Sequence, residues 1–349
     1  MSAKSRSVEL DVIRTLMNYL IVLLHAWAAF QYVKVGTIEF KTWTLVCSHL
    51  CWMAIPTFFL ISGYLLFLRF SIATWPAKLW RRTRRLVVPY AAWNVLFVVF
   101  YLSLARFVPR LGVRVASFGM DTFAGTFSKV FSFTVPPIDG PLWFLRTLFF
   151  LAVLSPIFLL LLRIGRGVPV VILSLAWCVL ESVLGLRDKL HLVAPAYSVA
   201  CFLFGGALAM NGKDIVDSFR KKRAVWLCAG LSACALMSLK VLPAVESLLA
   251  VLEAPALIAL SSWLNGAKIV QLQTYRFLHE MSFFAYAGHF LFCSIWLHTL
   301  APFLGGFWTG KFTALILIFV GCGVPTMAAV YLVAKRFCPQ ALKLFDGSF

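Results

Sequence analysis

The segment VELDVIRTLMNYLIVLLHAWAAF, residues 8–30, is apolar along most of its length and polar along one line. A helix advances about 100° per residue, which brings its four strongly polar side chains after Glu9 within about 60° of one another. These side chains are Asp11, Arg14, Asn18 and His25. Apart from Thr15 and Tyr19, every other position from 12 to 30 is apolar. The segment predicts a lipid-embedded helix with a single polar stripe.

The rest of the chain is equally apolar. Of its 349 residues, 62% are hydrophobic and only 13% are charged, and its mean hydropathy is +0.90. Soluble domains carry about 25% charged residues, so lipid must be the solvent for much of this surface. The composition predicts an all-α protein, a polytopic transmembrane helical bundle.

Ten apolar segments of about 18–25 residues are each long enough to cross a bilayer core of roughly 30 Å. The predicted spans are 12–33, 43–68, 86–105, 142–162, 168–186, 192–210, 224–240, 244–264, 282–300 and 312–334. The eighth is the weakest, because Glu246, Glu253 and Asn265 interrupt it. Glu181 and Asn94 are further polar side chains inside apolar segments, and the sequence offers no partner for them.

The basic residues orient the chain. The net charge of +19 would suggest nucleic acid in a soluble protein. Here the basic residues lie mostly in short connections between apolar runs, so nucleic acid is not an expected partner. With the N-terminus inside, 21 of the 32 basic residues fall on cytoplasmic segments. This bias predicts an even number of spans with both termini cytoplasmic.

His25 lies half-way along the first span, where an ionisable side chain is costly and faces the bundle interior or a wet cavity. A structural interpretation makes His25 a hydrogen-bonding group between helices, and Arg14 a snorkelling cation with Asp11 as its i,i+3 partner. A functional interpretation makes the imidazole a base or a nucleophile. The polar stripe favours the functional interpretation of His25, and the structural interpretation stays open.

The segment WPAKLWRRTRRLVVPY, residues 75–90, carries a dense basic cluster directly before the third span. Its arginines are Arg81, Arg82, Arg84 and Arg85. They could anchor the chain on the cytoplasmic side and touch anionic lipid. They could equally bind phosphate, which Arg side chains contact bidentately.

Weaker signals follow in the second, fourth and ninth spans. Pro56 and Gly63 predict a kink or a close helix contact in the second span, and Ser62 lies beside them. Trp143 and Arg146 begin the fourth span at the predicted outer interface. The lone histidines His49 and His289 are more often structural than catalytic. No metal-ligand spacing of Cys and His occurs.

Together these pieces resemble the membrane acyltransferase-3 family, whose members O-acylate bacterial cell-surface glycans. The resemblance runs nearly end to end and in the family's order. Its pieces are ELDVIRTLMNYLIVLLH (9–25), FFLISGYLL (58–66), RRTRRLVVPY (81–90), GPLWFLRTLFFL (140–151) and MSFFAYAGHFLF (281–292). The most specific piece is the spacing of ten residues between Arg14 and His25. In the last piece Ala287–Gly288 stands where relatives carry a larger apolar residue, which argues against a role for His289.

The resemblance implies a single integral-membrane acyltransferase domain over residues 1–349, in the bacterial inner membrane. It implies that His25 and Arg14 are catalytic, and that Arg14 and the basic cluster engage acyl-CoA. Acetyl-CoA is the default donor, and no metal is expected. Asp11, Asn18, Ser62, Trp143 and Arg146 become candidate substrate or structural residues. The acceptor would be a glycan or lipid-linked sugar. No hydrolase-like domain follows, which implies direct transfer to the acceptor or a separate partner protein. A homo-oligomer is a further candidate assembly.

Two other classes of function fit a bundle of this size. One is a small-molecule transporter or exporter, for which repeat symmetry or broken mid-membrane helices would be expected; the sequence has no clear repeat. The other is a non-catalytic subunit of a polysaccharide-export complex. Hydrolysis of acyl-CoA that depends on His25 would separate the enzyme from both.

Overall fold

A computed structural model describes residues 3–29, 42, 44–105, 127, 130, 137–186, 194–239, 242–261, 263–264, 266–304 and 312–348. Within these ranges the regular structure is helical, without strands. The helices of six residues or more are α1 (Ala3–Ala29), α2 (Ala54–Phe67), α3 (Trp75–Ala105), α4 (Trp143–Val153), α5 (Ser155–Arg163), α6 (Val168–Leu184), α7 (Ala196–Met210), α8 (Ile215–Arg220), α9 (Arg223–Ser238), α10 (Glu246–Ser261), α11 (Gln273–Leu304), α12 (Phe312–Phe337) and α13 (Pro339–Asp346). A π-helical turn, Val46–Cys51, precedes α2. The all-α expectation is confirmed.

Each predicted apolar segment coincides with one or two of these helices. In the described part of the chain, three stretches are long and apolar enough to cross a membrane, namely Val46–Phe67, Ser155–Leu184 and Pro243–Ser261. The second of them holds three consecutive left-handed residues, Gly165 to Gly167, with Arg166 at φ 58°. Left-handed residues cannot continue a right-handed helix, so we treat α5 and α6 as separate helices. The number of membrane crossings and the side of each terminus remain predictions.

The closest helix contact joins α2 and α7, and glycine makes it possible. A Cβ on Gly63 would lie 1.9 Å from the carbonyl oxygen of Phe202. A Cβ on Gly205 would lie 2.0 Å from the carbonyl oxygen of Leu60. Small residues let helix backbones approach this closely inside membranes. The close contact predicted at Gly63 is therefore confirmed.

Helix α1 packs along α11, far away in sequence. Buried Thr15 hydrogen-bonds the His279 ring nitrogen Nδ1 at 2.7 Å, and the Tyr19 hydroxyl donates to the Leu278 carbonyl oxygen at 3.0 Å. These are the two polar residues that interrupt the apolar side of the first segment. Their hydrogen bonds fix the register of the two helices.

Helix α3 is held from two sides by the C-terminal part of the chain. The indole of Trp93 donates to the Phe345 carbonyl oxygen at 2.9 Å, and the two rings meet edge to face. A Cβ on Gly288 of α11 would lie 2.5 Å from the Trp93 ring. Trp93 of α3 therefore contacts both α11 and α13.

Replacing Gly63 by Ala should destabilise the protein, because the new methyl group meets backbone rather than a movable side chain. Overpacking of this kind costs about 1–3 kcal/mol or more. Gly321 of α12 is the matched control, since its Cβ would meet nothing within 4 Å, and alanine there should be neutral or stabilising. Thermal unfolding in detergent measures both variants. Equal midpoints for Gly63→Ala and the parent would contradict the close contact.

Candidate functional site

His25 lies near the C-terminal end of α1, half-buried, with its ring turned toward α11. Its Nδ1 atom is 2.9 Å from the Ile21 carbonyl oxygen, one turn earlier in the same helix. A carbonyl oxygen only accepts hydrogen bonds, so Nδ1 carries the proton and Nε2 of the neutral ring is left with a free lone pair. The backbone thus presents His25 with its basic nitrogen directed away from α1.

The neighbour of His25 is a second histidine, His289 of α11. The two ring centroids are 4.9 Å apart at an interplanar angle of 56°, and His289 is fully buried. The Ala287–Gly288 pair in the sequence argues against a role for His289, yet the structure places its ring against His25. The structure explains that pair, since Gly288 is where the Trp93 ring packs. The signal that could have found His289 was its ionisable ring at mid-span.

Aromatic rings surround this histidine pair. Phe290 meets the His25 ring edge-on at 6.5 Å, and Phe97 of α3 stacks on Phe290 at 5.9 Å. The Tyr286 hydroxyl, one turn from His289, donates to the Pro141 carbonyl oxygen at 2.8 Å. The environment is apolar, which strengthens any electrostatic interaction within it.

Beyond Tyr286 lies another buried polar residue, Asp139, which comes just before α4 in the chain. The Asn94 side-chain oxygen accepts the Asp139 backbone N–H at 3.2 Å, and the Asn94 amide donates to the Tyr90 carbonyl oxygen at 2.7 Å. Both Asp139 carboxyl oxygens lack a hydrogen-bond partner among the residues that the structure describes. Burial accordingly raises the pKa of Asp139 well above its ordinary value.

The other end of the polar stripe is basic and open. Arg14 is exposed and lies 3.7 Å from the Asp11 carboxylate, the predicted i,i+3 pair. Arg82 of α3 is half-buried nearby. Burial, followed by the positive charges of Arg14 and Arg85, lowers the pKa of Arg82 to about 10. The first helix and the basic cluster therefore converge on one region of concentrated positive charge.

The remaining members of the basic cluster are more exposed. Arg81 donates from Nε to the Ala77 carbonyl oxygen one turn earlier, and Arg84 faces solvent. Lys78 donates to the Arg69 carbonyl oxygen. Arg82 is thus the arginine of this cluster that is both partly desolvated and close to Arg14.

The other predicted site residues lie around these two regions. Asn18 is buried on α1 between them, and Ser62 is half-buried on α2. Trp143 packs against the Phe59 ring at 6.2 Å. Arg146 is buried and lines a narrow cleft with Tyr90.

Arg14 and His25 are eleven residues apart on one continuous helix. At 1.5 Å per residue their Cα atoms are separated by about 16 Å along the axis. The site therefore has two ends, an open cationic end and a buried end with two imidazoles. Within the described part of the chain, no three His, Cys, Asp or Glu side chains come together as metal ligands would.

Apolar helices long enough to cross a membrane define a helical membrane protein. The chain matches the acyltransferase-3 family model, described as an acyltransferase domain, over residues 7–335. It belongs to this family, as the sequence resemblance predicted. Neither the curated proteins nor the solved structures contain a match to it.

Asp139→Asn should stabilise the protein at neutral pH. Because burial raises the pKa of this carboxyl, its ionisation opposes folding above its unfolded pKa of about 3.9, by about 1.4 kcal/mol for each unit of the shift. The asparagine side chain does not ionise, so it carries no such penalty to folding. The stability gain should be largest above the raised pKa and should vanish as the pH falls toward 4. Thermal unfolding from pH 4 to 8 measures the stability difference between the variant and the parent. A variant that is less stable than the parent at every pH would show that the Asp139 carboxyl is well hydrogen-bonded.

Proposed function

We propose that this protein is an O-acyltransferase of the bacterial inner membrane. It moves an acyl group, acetyl by family resemblance, from cytoplasmic acyl-CoA to a hydroxyl of a cell-surface or lipid-linked glycan. The observation that carries the proposal is the pairing of a cationic region with a buried imidazole centre on one polar stripe. Acyl-CoA has the matching form, with a polyanionic nucleotide at one end and a reactive thioester at the other.

The length of the donor supports this arrangement. About 13 bonds separate the CoA phosphate next to the pantetheine arm from the thioester sulfur. At about 1.25 Å advance per bond, the extended arm spans roughly 16 Å. This equals the rise along α1 from Arg14 to His25. Phosphates bound beside Arg14 and Arg82 would therefore bring the thioester level with the histidine pair.

The reaction follows from the free lone pair on His25 Nε2. This nitrogen takes the proton from the acceptor hydroxyl as the oxygen attacks the thioester carbonyl carbon. The C–O bond forms, the C–S bond breaks, and the proton passes from Nε2 to the departing sulfur, which leaves as the CoA thiol. Surrounding aromatic side chains keep water away from the thioester and so suppress its hydrolysis.

His25→Ala should abolish acyl transfer, with a loss of roughly 10²- to 10⁴-fold expected for a missing general base. The variant should insert and stay folded, because the His25 ring bonds only within its own helix among the described residues. His49→Ala is the control, since His49 is a half-buried histidine on another helical segment. The measurement is acyl-CoA turnover by purified protein with a glycan acceptor. Full turnover by folded His25→Ala protein would refute the mechanism and favour a transporter or export subunit.

Arg82→Gln should weaken acetyl-CoA binding roughly 10- to 100-fold, because a charge-assisted bond to phosphate is worth about 1.5–3 kcal/mol. Binding of a pantetheine thioester, which lacks the nucleotide, should hardly change. Arg163→Gln is the matched control, an exposed arginine of another predicted cytoplasmic connection. Calorimetry on detergent-solubilised protein measures the binding of both ligands to each variant. If Arg82→Gln and Arg163→Gln bind acetyl-CoA alike, the cluster is a topogenic anchor and not a phosphate site.

A further inference from the structure

The two imidazoles have the same hydrogen-bonding arrangement. The Nδ1 atom of His289 lies 2.5 Å from the Tyr286 carbonyl oxygen, as that of His25 lies against Ile21. Each Nδ1 must therefore donate, which leaves Nε2 of each neutral ring as an acceptor. The Nε2 atom of His289 is buried without a hydrogen-bond partner among the described residues. An unpartnered acceptor in an apolar centre is costly, so its retention calls for a function.

The chemistry of His25 creates a positive charge on the ring that contacts His289. When His25 takes the proton from the hydroxyl of the acceptor substrate, its Nε2 carries a hydrogen and its ring becomes a cation. An imidazolium in an apolar site needs an acceptor to stabilise it. In other acyl-transfer enzymes a carboxylate bonds to the histidine, but within the described residues no carboxylate bonds either ring. Among the described residues, His289 is the polar side chain that contacts the His25 ring, at 4.9 Å between ring centroids.

We propose that His289 is a positioning residue whose unpartnered Nε2 lone pair stabilises the His25 imidazolium while His25 holds the transferred proton. The proposal rests on the proposed function of His25 as the base. A neutral imidazole suits this role, because its dipole stabilises the imidazolium without burying a second charge. The Nε2–H of His25 stays directed at the reacting oxygen and sulfur. The interaction exists only after proton transfer, so it lowers the barrier without tightening donor binding.

Two substitutions separate this role from simple space filling. His289→Phe keeps a flat ring and removes the Nε2 lone pair, so kcat should fall roughly 10- to 100-fold, the effect of depriving a charged group of one polar partner. The KM and the dissociation constant for acetyl-CoA should stay at parent values. His289→Gln places an amide oxygen near the position of Nε2 and should recover most of the lost kcat. A purely packing role predicts the reverse order, with Phe active and Gln impaired, and that order would overturn the proposal.

A measurement on the unmodified protein covers the case in which the variants fold poorly. Nitrogen-15 NMR of histidine-labelled protein distinguishes the two neutral tautomers. We expect His25 and His289 both to carry hydrogen on Nδ1, and an Nε2–H tautomer for His289 would refute the proposal.

The outcomes also separate this proposal from the proposed function. Full activity of folded His25→Ala protein overturns both. Loss of activity in His25→Ala with parent kcat in His289→Phe overturns the role of His289 alone.

Discussion

A polar side chain buried in this apolar bundle can find hydrogen bonds only within the protein, because the lipid offers none. That constraint organises the site, because a histidine that donates to its own helix leaves its other nitrogen for chemistry. It also organises the scaffold. Glu181 accepts the Ala196 backbone N–H through both carboxylate oxygens, at 3.0 and 3.1 Å, and the Ser247 hydroxyl at 2.9 Å. One carboxylate thus satisfies the first backbone donor of α7 and joins α6 to α7 and to the start of α10.

The same need for internal hydrogen bonds explains why the candidate site has two ends of different polarity. Arginines cannot be buried in lipid without partners, so Arg14 and Arg82 lie where their charges reach solvent or phosphate. Imidazoles can be buried neutral, so His25 and His289 lie inside. A continuous helix connects the two ends and fixes their separation, because the α1 backbone has one rise per residue. Donor length and helix geometry are therefore coupled in the proposed reaction.

Close helix contacts make the buried centre possible. Gly63 and Gly205 bring α2 and α7 into backbone contact, while Gly288 admits the Trp93 ring against α11 next to His289. A bundle assembled this tightly fixes ring positions through packing. Trp93 further links the centre to α13 through Phe345. The second histidine is consequently set by a framework of contacts that extends from the first helix to the last.

Local sequence patterns are enough to predict the helices, the polar stripe of α1, the basic cluster ahead of the third predicted span and the close contact at Gly63. These features depend on local periodicity, on residue size and on charge, all of which a single segment reveals. The contacts between distant segments are seen only in the fold. There His289 faces His25, Arg82 is the partly desolvated arginine near Arg14, and Glu181 and Asn94 have partners. The groups in these contacts lie up to 264 residues apart in the chain, and a helix period says which face is polar but not which distant face it meets.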